Sequence, residues 1–214
     1  MTSPPTITLR KQLATCLLLA ALAAAIIGLS RFFELGATHF PGLGIGYQCL
    51  AGAVLGLGMA AVSYAGYRAQ AHKGHVQDMI DSYSRLDLRG MNPIWISLAA
   101  GISEEVLFRA ALQPLLGLWL ASAVFVLAHA RAYRFWPLNR AACGKVLGLF
   151  AGSVFFGLVF AYLGLLTAIL CHTIADAAAL LTIQSVQRRR ALERAGQSCS
   201  PEVATLAQCG RNSK

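Results

Sequence analysis

Six ionisable side chains stand in stretches of sequence that are otherwise apolar. Glu104, Glu105 and Arg109 lie in "GISEEVLFRAAL", His129 ends "ASAVFVLAH", and His172 and Asp176 share "CHTIAD". A charge near the middle of a bilayer costs about 2.5–3.5 kcal/mol on insertion scales, so such residues face a protein interior or a water-filled cavity. Six of them on three segments are expected to converge on one site. Spacing assigns first roles. Glu105 and Arg109 are i,i+4 with the acid on the N-terminal side, the favourable order for a helix ion pair. They read as a structural pair. Glu104 points about 100° away around the same helix and is left as a carboxylate free for general acid/base work. His172 and Asp176 share one helix face, and Phe125 and His129 share another.

Two chemistries suit this set. Glu104, His129, His172 and Asp176 could ligate a transition metal, Zn2+ above all, through imidazole and carboxylate. Alternatively, Glu104 with one histidine deprotonates a water and the remaining groups stabilise an oxyanion, with no metal. Both readings amount to attack of water on a carbonyl, shielded within the membrane. The sequence leaves the choice open.

The elements that must position these groups follow from composition. The chain has 214 residues, 57% hydrophobic and only 13% charged, against about 25% charged in a soluble domain. It reads as an all-α, polytopic membrane bundle embedded in lipid. The net charge of +9 does not point to nucleic acid, because the cations sit in short segments between apolar runs. The 6 cysteines form no C-x-x-C and no metal spacing. A spanning helix needs about 20 mostly apolar residues. Six segments approach this: 12–30, 43–65, 93–114, 116–133, 146–163 and 167–186. Tight connections after the third and fifth predict antiparallel helical hairpins. Of the 18 Lys and Arg, all but Arg31 and Arg109 fall on one side of an alternating six-span arrangement. The positive-inside rule then puts both termini in the cytoplasm. Tyr133, Phe135 and Trp136 suit an aromatic belt at that interface. The 66–92 loop reads as an amphipathic surface helix, and the basic tail as polar and flexible. The organisation expected is two N-terminal spans with a cytoplasmic loop (1–92), a four-helix core (93–186) and a tail (187–214).

"EEVLFR" has the form E-E-x-x-x-R, "FVLAH" the form F-x-x-x-H, and "HTIAD" the form H-x-x-x-D. In this order on successive apolar helices, they resemble the three motifs of the CAAX protease and bacteriocin-processing (CPBP, or Abi) family of intramembrane endopeptidases. The resemblance covers about residues 93–186. It implies a helical membrane fold enclosing the site, and a membrane protein or peptide as substrate. It also implies that Glu104 activates the water with His129 assisting, that Glu105 and Arg109 form the structural pair, and that His172 and position 176 stabilise the oxyanion. Glu104, Glu105, His129, His172 and Asp176 are then the candidate catalytic set. Eukaryotic members, which trim prenylated proteins, carry Asn where this chain has Asp176, and an ionised Asp cannot donate to an oxyanion. The short form is common in bacteria, which points to the inner membrane. The rival reading is a non-catalytic membrane protein, such as a bacteriocin self-immunity factor or a proton-coupled transporter, in which the same groups relay protons. Such transporters often carry inverted repeats, and none is seen.

One geometric tension remains. His129 falls near the cytoplasmic end of its segment, His172 near the opposite end of its own, and Glu104 near the middle. For them to meet, the connection before His172 must dip inward, or the fourth helix must run longer and tilted.

Overall fold

In lipid the backbone must satisfy its own hydrogen bonds, and an apolar run does so as a helix. The computed structural model follows this rule. It describes residues 7–33, 42–133, 135–136 and 140–209, with the backbone alone at His75, Asp78, Met79, Ser84, Ala141 and 197–209. Seven α-helices carry these residues: α1 (Leu9–Phe32), α2 (Ile45–Gln70), α3 (Gly74–Ser82), α4 (Asn92–Glu105), α5 (Gln113–His129), α6 (Arg140–Leu163) and α7 (Leu165–Cys209). A π-helical turn, Val106–Leu112, joins α4 to α5 without a break. The Thr8 side chain caps α1 by accepting from the Lys11 amide, and Pro93 sits in the first turn of α4, where its missing N–H costs nothing.

Five stretches are long and apolar enough to cross a membrane: Leu9–Phe32, Ile45–Gln70, Asn92–His129, Ala142–Leu163 and Leu165–Gly196. The third is 38 residues long and is not one straight helix. Gly117 within it has φ 74° and ψ 169°, a conformation open to glycine and strained for other residues. The chain doubles back there, because the Phe108 and Phe125 rings meet at 4.8 Å across the bend. This stretch is therefore a hairpin of two limbs. The expectations of about six spans and of a hairpin after the third are met. The fifth and sixth spans, α6 and α7, turn at Gly164, whose φ is 107°.

The bundle has two distinct ends. At one, Gln48 of α2 clamps the α6–α7 turn. Its Oε1 accepts from the Leu166 amide at 3.1 Å, its carbonyl accepts from the Thr167 hydroxyl at 3.2 Å, and its Nε2 donates to the Leu43 carbonyl at 2.6 Å. At the other end the basic segments gather. Ile7 bonds to Arg85, Gln184 donates to the carbonyls of Leu88 and Gly90, and Arg190 reaches Asp81 at 2.7 Å. The amphipathic loop helix is found as α3, but its apolar face lies on protein. Val76 and Ile80 are buried with Leu88, Ile96, Leu180 and Ile183. The last helix runs past the boundary near 186 suggested by hydropathy, reaching Cys209. Of the expected belt, Trp136 is 82% exposed whereas Phe135 is buried.

The helix that carries His172 is held against α2 by small residues. Gly52 lies against Thr167 and Leu170, and Gly56 against Cys171 and Ile174. A Cβ on Gly56 would stand 2.8 Å from the Cβ of Ile174 and 3.2 Å from the Cα of Cys171. Backbone on one side leaves no flexible end to yield. Gly56→Ala is expected to destabilise the fold by about 1–3 kcal/mol through overpacking. Gly58→Ala, with nothing within 4 Å of the added methyl, should be neutral. Thermal unfolding in detergent compares the two, and equal midpoints would contradict this packing of α2 on α7.

Candidate active site

Glu104 and Glu105 end α4, and consecutive positions on a helix diverge by about 100°. Glu105 turns into the protein and is 1% exposed, with Arg109 at 0%. Glu104 turns to a more open space and keeps 17% of its side-chain surface. The expected ion pair is present, with Arg109 Nε 3.3 Å from Glu105 Oε2. Arg109 also donates from Nη2 to Ser153 Oγ on α6 at 2.9 Å, and its guanidinium lies 5.7 Å from the centre of the Phe125 ring.

The other oxygen of Glu105 has a partner that spacing alone did not reveal. His172 Nδ1 lies 2.7 Å from Glu105 Oε1. A carboxylate accepts, so this nitrogen carries the hydrogen and donates it. Glu105 therefore joins α4, α6 and α7 through Arg109, Ser153 and His172. It is more than the partner of Arg109.

His172 stacks on Phe156, with ring centroids 5.0 Å apart and planes at 25°. Its Nε2 turns to Glu104, 4.0 Å from Oε2. His129 comes from the returning limb of the Gly117 hairpin. Its ring stacks on Phe125 at 4.2 Å, and its Nδ1–H donates to the Phe125 carbonyl at 2.9 Å. Its Nε2 faces Glu104 Oε2 at 3.6 Å. Two imidazole nitrogens from α5 and α7 thus point at one carboxylate oxygen from α4. Both gaps exceed a direct hydrogen bond and are of the size a bridging water closes. Exposures of 17%, 21% and 11% for the side chains of Glu104, His129 and His172 keep this cluster reachable, unlike the sealed Glu105–Arg109 pair. Asp176, one turn after His172 on α7, interacts electrostatically with His172, Glu104 and His129.

All five candidate catalytic residues therefore lie in one region, with Arg109 behind them. The returning limb of the Gly117 hairpin and the start of α7 after the Gly164 turn bring His129 and His172 to Glu104. The histidines by themselves suit a metal as well as a water, since each bonds through Nδ1, His172 to Glu105 and His129 to a carbonyl, and turns Nε2 to Glu104. Among the described residues, however, no group of three or more His, Cys, Asp or Glu is disposed to hold a metal ion. Sequence reasoning missed Ser153 and Phe156. A serine within an apolar helix and one phenylalanine among several give no signal of a partner on another helix.

Residues 91–178 match the model of the Rce1-like family, described as type II CAAX prenyl endopeptidase Rce1-like. All three motifs fall inside this stretch, so the resemblance they carry is borne out there. No curated protein and no solved structure matches the chain.

Removing Arg109 would leave the Glu105 carboxylate buried without its cation. Arg109→Ala is expected to cost about 3–5 kcal/mol, as for other broken buried pairs. Ser153→Ala, which removes one hydrogen bond to a charged group, should cost about 1.5–3 kcal/mol. Unfolding in detergent and the yield of folded protein measure both. An Arg109→Ala chain as stable as wild type would show that the pair does not hold the helices.

Proposed function

We propose that this chain is a CAAX-protease-like intramembrane endopeptidase that hydrolyses a peptide bond in a membrane-associated protein or peptide. The observation that carries the proposal is the convergence of His129 Nε2 and His172 Nε2 on Glu104 Oε2. The family match over residues 91–178 supports it. In this reading α4 to α7 form the protease core as far as residue 186, and α1, α2 and α3 brace it. The basic end of the bundle faces the cytoplasm, as the positive-inside rule directs.

The chemistry follows from the hydrogen-bond roles. A water between the three groups donates one hydrogen to the Glu104 carboxylate and the other to His129 Nε2, which is an acceptor because Nδ1 carries the hydrogen. Its lone pair then faces the scissile carbonyl. Glu104 takes a proton as the water oxygen bonds to the carbonyl carbon, and the carbonyl electrons move onto oxygen. His172, held by Glu105, donates from Nε2 to that oxyanion when it carries a proton there. As the carbonyl reforms, the C–N bond breaks and Glu104 returns its proton to the departing amine. Proton balance closes within Glu104 and the water. An ionised Asp176 only accepts hydrogen bonds, so the oxyanion donor in this scheme is His172.

General-base catalysis contributes about 10²–10⁴ in rate, and one oxyanion donor about 10²–10³. Glu104→Gln is nearly isosteric and should keep the fold while lowering kcat by about a thousandfold or more. His172→Ala should lower it by about a hundredfold. The assay uses the full chain in liposomes with an internally quenched, farnesylated C-a-a-X peptide, beside the same peptide without the lipid. Turnover by Glu104→Gln within tenfold of wild type would sink the assignment. Cleavage of the unlipidated peptide alone would retain the protease and remove the prenyl group from its substrate. Elemental analysis of active wild-type protein runs in parallel, and one zinc per chain, lost in a His129→Ala/His172→Ala variant, would replace the metal-free scheme.

A further inference from the structure

The proposed mechanism makes no use of Gln113. This side chain stands in "LQPLLGLWL", a run that reads as lipid-facing, yet it turns into the protein. It opens α5 four residues after Arg109, and residues four apart share a helix face. Its Nε2 donates to the Gly157 carbonyl of α6 at 3.0 Å. Four residues earlier on α6, Ser153 Oγ accepts from Arg109 Nη2 at 2.9 Å. Arg109–Ser153 and Gln113–Gly157 are thus two successive rungs between the same pair of segments, about 6 Å apart along the helix at 1.5 Å per residue. A single rung would leave α6 a pivot. Two rungs fix its register.

Gly157 makes the second rung possible. A Cβ there would stand 2.8 Å from Gln113 Oε1 and 3.4 Å from Arg109 Nη1, and would also meet Leu118 Cδ1. The amide and the guanidinium therefore both lie against bare backbone. Those two atoms are buried, and among the described residues neither has a hydrogen-bond partner. One is an acceptor and the other a donor, so the spot they share is complementary in sign. The consequence for the site comes through Phe156, three residues after Ser153 and on the same side of α6. Its ring backs His172, with centroids 5.0 Å apart and planes at 25°. The bond of 2.7 Å from His172 Nδ1 to Glu105 fixes one nitrogen but leaves the imidazole able to rock about that bond. The stack on Phe156 is what resists the rocking, and the 4.0 Å gap from Nε2 to Glu104 depends on it.

We infer that Gln113 is a positioning residue of the hydrolytic site: its bond to the Gly157 carbonyl, the second rung beside Arg109–Ser153, fixes the register of α6 that sets Phe156 against the His172 ring and keeps Nε2 turned to Glu104. The inference rests on the proposed function for its kinetic consequence, and on contact distances for its geometry. The contacts close on themselves. Glu105 holds Arg109 at 3.3 Å, Arg109 and Gln113 hold α6, α6 holds His172 through Phe156, and His172 returns to Glu105.

Two measurements test it on the full chain in liposomes. Gln113→Met keeps the length of the side chain and removes the amide. Gly157→Ala keeps the amide and displaces it. On the farnesylated quenched peptide each should lower kcat about five- to tenfold, the size of one hydrogen bond, with KM unchanged. Both break the same rung, so the double variant should lose no more than about tenfold. Wild-type kcat in both single variants, a loss carried by KM alone, or losses that multiply in the double variant would overturn the inference. The second measurement reads His172 directly and needs no turnover. Histidine is labelled with 13C and 15N, and the ring signals of the 5 histidines are assigned by single substitutions. A stacked aromatic ring shifts the signals of the imidazole against it, so Phe156→Leu marks the position of an unstacked His172. Gln113→Met should move the His172 signal toward that position and leave His129, which has its own stack on Phe125. A His172 signal that stays at its wild-type position in Gln113→Met would overturn the inference, because a residue that only stabilised the bundle would lower the unfolding midpoint without moving it. Retained cleavage by Glu104→Gln would count against the proposed function alone, and the histidine signals would still decide the register of α6.

Discussion

The Glu105 carboxylate is the point on which this arrangement turns. One oxygen meets Arg109 and the other meets His172, and the arginine continues to Ser153. Three helices are joined by one fully buried acid. A buried charge with a single partner would not recover its desolvation, and the second and third hydrogen bonds make the placement tolerable. The same bonds set the edge of the His172 ring that turns to Glu104. The group that secures the fold also orients an imidazole, so the structural and chemical roles cannot be assigned to separate residues here.

The sequence revealed the polar set because the membrane makes polarity rare. Glu104, Glu105, Arg109, His129, His172 and Asp176 stood out against apolar neighbours, and the i,i+4 rule correctly paired Glu105 with Arg109. Their convergence followed from the cost of exposing any of them to lipid. What spacing could not show was which partner each acid finds across helices. The bond from His172 to Glu105, rather than to Glu104, depends on the relative rotation of α4 and α7. Small residues such as Gly101, packed against Thr173, set that rotation. Ser153 was invisible for the same reason.

The fold was legible in its helices more than in its turns. Hydropathy located the apolar runs, but it divided the third from the fourth near residue 115 without indicating what reverses the chain. Gly117 does so through its positive φ, in a run, "LLGLWL", that reads as uninterrupted span. The end of α7 was misplaced because hydropathy senses lipid and not helicity. The helix continues into polar sequence, where Gln184 and Arg190 bind the segment before α4.

The Gly117 reversal leaves the His129 limb only 12 residues long, 118–129, or about 18 Å at 1.5 Å per residue. A bilayer's hydrocarbon core is about 30 Å thick. Trp119, Leu120 and Leu127 on that limb are exposed, so its outer face meets lipid. A short apolar wall in a thicker core is a hydrophobic mismatch, which the bilayer relieves by thinning beside it. Under the proposed function, a peptide anchored at the headgroups has less hydrocarbon to cross beside this limb than beside the longer helices. Acyl-chain length then becomes a variable of the site itself, because it sets how far the surface lies from Glu104.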